Sequence, residues 1–426
     1  MEIDAYNSSG NILRDSLTDR LEPRRQLSAI AFHPNRNASL IELSMPAQRT
    51  LRVLHVHSGN LFGGIETMLL TLVRQRDDCP AMKTLFALCF SGRLSKELTA
   101  AGAEVNWLGE VRVRDPLSVR RARRNLKALL ARNRFDVVVT HSCWTQAVFG
   151  TTVRSAGTPL VSYLHAPPNS RHWLERLARR TPPDGVLCNS KFTAASADKL
   201  YPGIRTDVLY CPVVLGDGLA SVTNAKLARA ELKTANDAVV IIQVGRLESW
   251  KGLATHLQAL SLLKDLPNWV FWQVGGAHST REAEYLKKLE ETATGVGIAE
   301  RVRFLGEHSD VRELLTAADI FCQPNLQAEP FGIVFIEALH AQLPVVSTNI
   351  GGVREIVDES CGVLVSPNDP IALSEALRRL ISNPATRLSM GKAGPPRAAS
   401  LCNPRQQMAE LERMLSPWQS RERAFL

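Results

Sequence analysis

Glu329-Pro330-Phe331-Gly332-Ile333-Val334-Phe335-Ile336-Glu337 holds two carboxylates separated by seven residues, with a glycine between them where irregular chain gives way to a helical pattern. The run from Ile333 to Ala341 predicts a helix, so Gly332 stands at its entrance. A glycine there lets the backbone approach a ligand closely, and the free N–H groups of a helix start attract phosphate oxygens. Glu329 falls in the loop. Glu337 sits one turn into the helix amid Ile333, Val334, Phe335, Ile336, Ala338 and Leu339. A charge inside such an apolar run is usually paired or turned toward a ligand, and its carboxylate is available to a vicinal diol such as a ribose.

Working outward, this stretch lies in a series of short β-rich runs alternating with amphipathic ones: Val239 to Val244, Trp269 to Val274, Val302 to Leu305, Ile320 to Gln323, Pro344 to Ser347 and Val363 to Val365. An earlier series precedes it: Leu51 to His57, Thr84 to Phe90, Phe135 to Thr140, Pro159 to His165 and Gly185 to Cys188. Strands alternating with helices predict βαβ units and parallel sheets. Between the two series, Cys211 to Asp237 gathers Pro212, Gly216, Asp217, Gly218 and Asn224, which reads as a linker carrying one short helix. The expected organisation is α/β with two Rossmann-like domains facing across a cleft: a flexible tail over 1–48, an N-terminal domain over 49–211, a linker over 212–237, a C-terminal domain over 238–400, and a C-terminal helix over 401–426 that crosses back to the first domain. A chain of 426 residues is long enough for two cores.

Ligands of open α/β sheets bind beyond the carboxyl ends of the strands, so the loops there carry the candidate chemistry. Gly245-Arg246 follows a strand and Lys251-Gly252 opens a helix, which places a guanidinium and an ammonium where a diphosphate would sit; taken alone, the same residues also read as a surface loop. Gly63-Gly64 follows the first strand and opens the first helix. It is not Gly-x-Gly-x-x-Gly, which weakens a dinucleotide reading. His165 ends a strand with its imidazole expected in the cleft, His141 is a second cleft candidate, and Asn189-Ser190 reads as the cap of the next helix, with lining of the acceptor pocket as the alternative.

The Glu-x7-Glu stretch with its Phe-Gly resembles the signature of the retaining glycosyltransferases of family four, which have the GT-B fold. Gly245-Arg246 with Lys251 is similar to that family's diphosphate-binding pair, and the similarity continues through Gly351-Gly352-Val353-Arg354-Glu355-Ile356-Val357 and Gly362 to Asp369. It spans roughly Leu51 to Asp369. The resemblance implies transfer of a hexose-type sugar from a nucleotide diphosphate sugar to a glycan or lipid-linked acceptor, with retention and without a metal or other cofactor. By it, Arg246 and Lys251 neutralise the departing diphosphate, and the amides of Phe331, Gly332, Ile333 and Val334 hold sugar and phosphates. Glu329 binds sugar hydroxyls, Glu337 the ribose, and Leu305-Gly306 meets the base, while the Gly63-Gly64 loop closes over both substrates. His165 corresponds to the family's active-site histidine. The family usually follows this histidine with a small or acidic residue; Ala166 offers no carboxylate, so His165 is assigned to substrate orientation and sugar contact and not to general-base work. The rival readings are a nucleotide-sugar epimerase of the same architecture and a non-catalytic nucleotide-sugar-binding protein; the four residues Glu329, Glu337, Arg246 and Lys251 argue against the latter.

Composition sets the remaining bounds. With 45% hydrophobic and 22% charged residues the chain reads as an ordinary globular protein, and its apolar runs fall far short of the roughly 20 residues that span a bilayer. The charged N-terminus lacks an apolar signal region, so a cytoplasmic location, peripheral to the inner face of the membrane, is expected. Eight scattered cysteines form no C-x-x-C pair and read as reduced core thiols. The net charge of +9 points to an acidic partner. Between Arg112 and Arg134 nine basic residues face the single acid Asp115. Helical spacing gathers Arg120, Arg123, Arg124 and Lys127 opposite Val119, Ala122, Leu126, Leu129 and Leu130. That is either a solvated face or a patch for anionic membrane or a lipid diphosphate. No aromatic residues interleave with it, so nucleic acid is not expected as a partner.

Overall fold

The computed structural model describes residues 49–60, 62–169, 172–214 and 222–419; the tail expected over 1–48 lies outside them. Strands Leu51–His57 (β1), Met82–Leu88 (β2), Val105–Trp107 (β3), Val137–His141 (β4), Leu160–Leu164 (β5), Gly185–Cys188 (β6) and Thr206–Val208 (β7) form one sheet in the order β3-β2-β1-β4-β5-β6-β7. Strands Val239–Val244 (β8), Trp269–Val274 (β9), Val302–Gly306 (β10), Ile320–Gln323 (β11), Val345–Thr348 (β12) and Gly362–Val365 (β13) form a second in the order β10-β9-β8-β11-β12-β13. Every pairing of named strands is parallel. These are two Rossmann-like sheets, as expected. Such sheets are covered by helices on both faces, which explains why their strands are runs of Val, Ile, Leu and Phe rather than alternating patterns.

The strand order reverses between β1 and β4 in the first sheet, and between β8 and β11 in the second. Each reversal opens a crevice at the carboxyl ends, where α/β sheets take their ligands. The loops after β1, β8 and β11 therefore hold Gly63-Gly64, Gly245-Arg246 and Glu329-Gly332.

Two short edge strands, β3 and β7, have no counterpart in the sequence reading; three residues are too few for a periodic signal. Strand β2 begins and ends two residues earlier than expected, because Cys89 and Phe90 turn away and donate their N–H groups to the Ser58 carbonyl. The linker helix spans Val222–Glu231. After the long helix Pro384–Cys402, the helix Pro404–Leu415 buries Met408, Leu411, Met414 and Leu415 and reaches residues of the first half of the chain. Arg405 pairs with Asp78 at 2.9 Å, the Cys79 thiol donates to Glu412 at 3.2 Å, and Trp418 packs over Gly185. All eight cysteines are free thiols.

A second set of contacts joins the halves beside the cleft. The Glu355 carboxylate accepts the backbone N–H groups of Lys191 and Phe192 at 2.8 and 2.7 Å and the Tyr210 hydroxyl at 2.9 Å. Ser190 donates to the Pro330 carbonyl at 2.6 Å, and the Tyr210 ring stacks on Phe331 at 5.4 Å. The donor-side loop around Pro330 is thereby fixed to the first sheet as well as to its own.

Candidate active site

One cleft of about 590 Å³ lies between the two sheets. The site residues expected from sequence line it except Leu305, Gly306 and the second histidine candidate His141: the two glycines and His165 on the first side, and Gly245, Arg246, Lys251, Glu329, the Phe331–Val334 segment and Glu337 on the second.

Lys251 is the most constrained of them. Residues Ser249–Lys251 form a 3-10 turn, and Gly252 caps the helix Leu253–Ser261 that follows, so Lys251 ends a turn and does not open the helix itself. Gly252 has φ +73°, and a Cβ there would lie 1.8 Å from the Pro324 carbonyl oxygen; only glycine lets this turn close on the β11 loop. The Lys251 carbonyl accepts Gln243 Nε2 at 2.9 Å, and Gln243 is itself braced by His256 at 2.8 Å. The ammonium lies 4.1 Å above the Trp250 ring and pairs with the Glu329 carboxylate. The two side chains are only 12% and 16% exposed, so this ion pair is poorly screened and its geometry is well fixed. Arg246 is looser: its side chain is 59% exposed and pairs with Glu248 at 2.9 Å.

Glu329 is held by its backbone. It forms a parallel bridge with Gly351, and its carbonyl accepts the Gly352 N–H at 2.8 Å. Gly332 then adopts φ +90° as the N-cap of the helix Ile333–His340. No side chain among the described residues caps this end; the Phe335 N–H turns back to the Gly332 carbonyl at 3.1 Å, which leaves the amides of Ile333 and Val334, both lining the cleft, as donors reinforced by the helix dipole.

Glu337 has no hydrogen-bond or ion-pair partner among the described residues, and its burial pushes the carboxyl up to about 6. A paired structural carboxylate would be held low instead. An unpaired one on a cleft wall is an acceptor with unused capacity.

Across the cleft, His165 follows β5. Its Nε2 is 3.0 Å from His141 Nδ1, and its carbonyl accepts Asn189 Nδ2 at 3.1 Å. Burial first, then the neighbouring His57, pushes its imidazole down to about 3; it is neutral at physiological pH.

A model for glycosyltransferase family 4 matches residues 62–216, and a model for glycosyl transferases group 1 matches residues 224–397, one for each wall of this cleft. The chain belongs to the family four, group 1 glycosyltransferases. Among curated relatives of this chain, a D-inositol 3-phosphate glycosyltransferase of Corynebacterium urealyticum is 38% identical over 197 residues, 44% of this chain and 46% of the relative. The human alpha-1,3/1,6-mannosyltransferase ALG2 is 29% identical over 233 residues, 52% of this chain and 55% of the relative. The chain thus spans about half the length of the curated relatives it matches. A crystal structure of Anabaena HepE in complex with UDP and glucose superposes with a TM-score of 0.75 at 23% identity, covering 86% of this chain and all of that one; it shares the GT-B fold.

Three expectations for this chain need correction. Leu305 and Gly306 do not line the cleft: they end β10, where the Gly306 carbonyl accepts the Gly275 N–H at 2.7 Å, and the wall beyond is made by His308, Ser309 and Val311. His141 is not a cleft residue; it is fully buried behind His165. Arg123 leaves the basic face of the helix Pro116–Arg132, because its guanidinium donates to the Val148 and Ala147 carbonyls at 2.6 and 3.3 Å. Arg120, Arg124 and Lys127 remain exposed.

The structure also brings in residues that the motifs did not mark. Trp250 sits under Lys251. Arg93, stacked on Phe62 at 3.9 Å and paired with Glu97 at 2.7 Å, lines the first wall of the cleft. His57 and Glu66 form a buried pair at 2.7 Å below the Gly63-Gly64 turn. The two histidines of β1 carried a signal, since a polar ring inside a buried-strand run needs a partner.

Proposed function

We propose that this chain transfers a hexose-type sugar from a nucleotide diphosphate sugar to a hydroxyl of a glycan or lipid-linked acceptor, with retention and without a divalent metal, in the assembly of a surface polysaccharide or glycoconjugate. The observation that carries this reading is the convergence of Arg246, Lys251, an uncapped helix N-terminus and the unpaired Glu337 in one cleft. Two cations and a row of amides match a diphosphate. An unpaired carboxylate on the same helix matches the vicinal diol of its ribose. The sugar transfers for which the relatives are named, and the UDP and glucose held by Anabaena HepE, support the same reading.

In this mechanism the diphosphate draws Lys251 away from Glu329. The ammonium then stabilises the charge that develops on the leaving phosphate, and the released Glu329 carboxylate accepts from hydroxyls of the transferred sugar. The bond from the anomeric carbon to the phosphate oxygen breaks through an oxocarbenium-like state. The acceptor hydroxyl attacks from the same face and its proton passes to the departing phosphate. Glu329, which is engaged by Lys251 from its loop, serves as a binding group and not as a nucleophile in this scheme.

Thermal shifts across UDP-, GDP- and ADP-sugars test the donor. One class is expected to raise the melting temperature by ligand linkage, and a flat response to all three contradicts the reading. Excess EDTA should leave turnover intact, since the cations are supplied by side chains; an absolute divalent requirement contradicts the metal-free mechanism. Products formed without an acceptor separate the transferase from an epimerase: sugar isomerisation in the donor alone would favour the latter.

The exposed cations Arg120, Arg124 and Lys127 place the chain against an anionic cytoplasmic membrane surface in this scheme. Sedimentation with phosphatidylglycerol vesicles, but not phosphatidylcholine vesicles, is the expected result, weakened about tenfold or more in an R120E/R124E/K127E variant. Equal sedimentation of variant and parent removes the membrane from the proposal.

A further inference from the structure

Behind the cleft, three histidines stand in file. His55 Nδ1 is 2.9 Å from His141 Nε2, and His141 Nδ1 is 3.0 Å from His165 Nε2. His55 and His141 are fully buried. Their rings are held between Phe86, stacked on His55 at 5.5 Å, and Tyr163, 4.2 Å from His165. They come from β1, β4 and the end of β5, which are neighbours in the sheet. The cleft-facing ring is therefore backed by a line of imidazoles that runs into the core.

We propose that His141 and His55 are positioning residues for His165: the file fixes the His165 proton on Nδ1, so that the ring meets the sugar substrate as a hydrogen-bond donor and not as a general base. This rests on the proposed transferase reading only for its functional consequence; the proton arrangement follows from the structure alone.

The argument is a count of protons. Burial holds all three rings neutral, so each carries one N–H and one lone pair. His141, in the middle, must donate through one nitrogen and accept through the other, which forces both hydrogen bonds to run in the same direction. Only two arrangements exist. If the bonds run outward, His55 Nδ1–H donates to His141 Nε2, His141 Nδ1–H donates to His165 Nε2, and His165 carries its proton on Nδ1. If they run inward, His165 carries its proton on Nε2, and the last proton of the file lies on His55 Nε2.

The far end decides between them. His55 Nε2 is buried and has no hydrogen-bond partner among the described residues. The inward arrangement strands an N–H there, whereas the outward one leaves only a bare lone pair. Among backbone groups, orphaned buried N–H donors are rarer than under-satisfied acceptors, and the same preference disfavours a stranded N–H on His55. His57 does not complete the file: its Nε2 faces Glu66 at 2.7 Å and its ring stands edge-on to His141 at 6.2 Å. A donor at the mouth of the cleft also fits the absence of a carboxylate at Ala166 and a mechanism in which the leaving phosphate takes the acceptor proton.

The test is the two-bond nitrogen–proton correlation spectrum of the full chain with ring-labelled histidine at pH 7.5, free of substrates, with the ten histidines assigned through single His→Gln variants. The expected result is the Nδ1–H tautomer, the minority form of free histidine, at positions 55, 141 and 165. An Nε2–H pattern at His165 overturns the proposal. His141→Phe should return His165 to the Nε2–H form and lower kcat about tenfold with a smaller change in donor KM; an unchanged tautomer and unchanged kcat also overturn it. Should that variant fail to fold, His55→Phe breaks only the inner bond and is read the same way. Because the spectrum needs no turnover, an inactive protein with the Nδ1–H file would sink the transferase reading and leave this one standing.

Discussion

Lys251→Ala is expected to lower kcat by about 100- to 1000-fold, the range typical of removing one preorganised donor from a developing negative charge. The size follows from its surroundings. The ammonium is mostly buried, lies over Trp250, and has its own carbonyl tied to Gln243, so no solvent or neighbouring cation replaces it. Arg246, more than half exposed and paired with Glu248, should cost only about tenfold when changed to alanine, because a screened charge contributes less. Lys251→Ala also leaves Glu329 without its cation in a poorly solvated place, at a stability cost of about 1–3 kcal/mol. Combining Lys251→Ala with Glu329→Gln should restore that stability; recovery of activity along with it would refute the assignment of Lys251 to the diphosphate.

Glu337→Gln should make the protein more stable and a poorer enzyme. The Glu337 carboxyl is raised from 4.5 to about 6 in the folded chain because it is buried without a partner. Between those values the folded state binds more protons than the unfolded one, so stability falls as pH rises through that window and stays lower above pH 6. The cost above pH 6 is on the order of 2 kcal/mol. Glutamine removes it, so the melting temperature of the variant should exceed that of the parent by a few degrees at pH 8 and match it near pH 4. Donor KM should rise about 10- to 100-fold, because charge-assisted hydrogen bonds to the diol are lost. For the parent, donor affinity should weaken as pH drops below about 6, where Glu337 takes up its proton, and the variant should lose this dependence. A variant that is less stable at pH 8, or that binds donor normally, contradicts the reading of Glu337 as a ligand-facing group kept at the expense of stability.

Much of this was legible in the sequence, for identifiable reasons. The alternation of apolar strand runs with helices specifies two parallel sheets, and of the four strands next to the switch points, β1, β8 and β11 match their expected bounds because their runs are long or sharply bounded, whereas β4 begins two residues later than expected. Glu337 could be singled out because a charge in an apolar helix violates the pattern around it. What escaped was decided by tertiary contact. Nothing local tells that Arg123 turns inward to helix carbonyls while Arg120 and Arg124 do not. The burial of His141 depends on β1 and β5 flanking β4, which is a matter of strand order. The Lys251–Glu329 pair joins two loops on neighbouring strands of the second sheet, whereas the family resemblance assigns its members to separate parts of a ligand. The three-residue edge strands carry too little pattern to detect.

The central claim is that this cleft holds a nucleoside diphosphate through side chains and backbone amides alone. Calorimetric titration of UDP, GDP and ADP in excess EDTA tests it most directly. The account predicts that one of the three binds saturably at one site per chain, and that Lys251→Ala raises its Kd by about tenfold or more. Failure of all three to bind, or equal affinity for the parent and the Lys251→Ala variant, would contradict it.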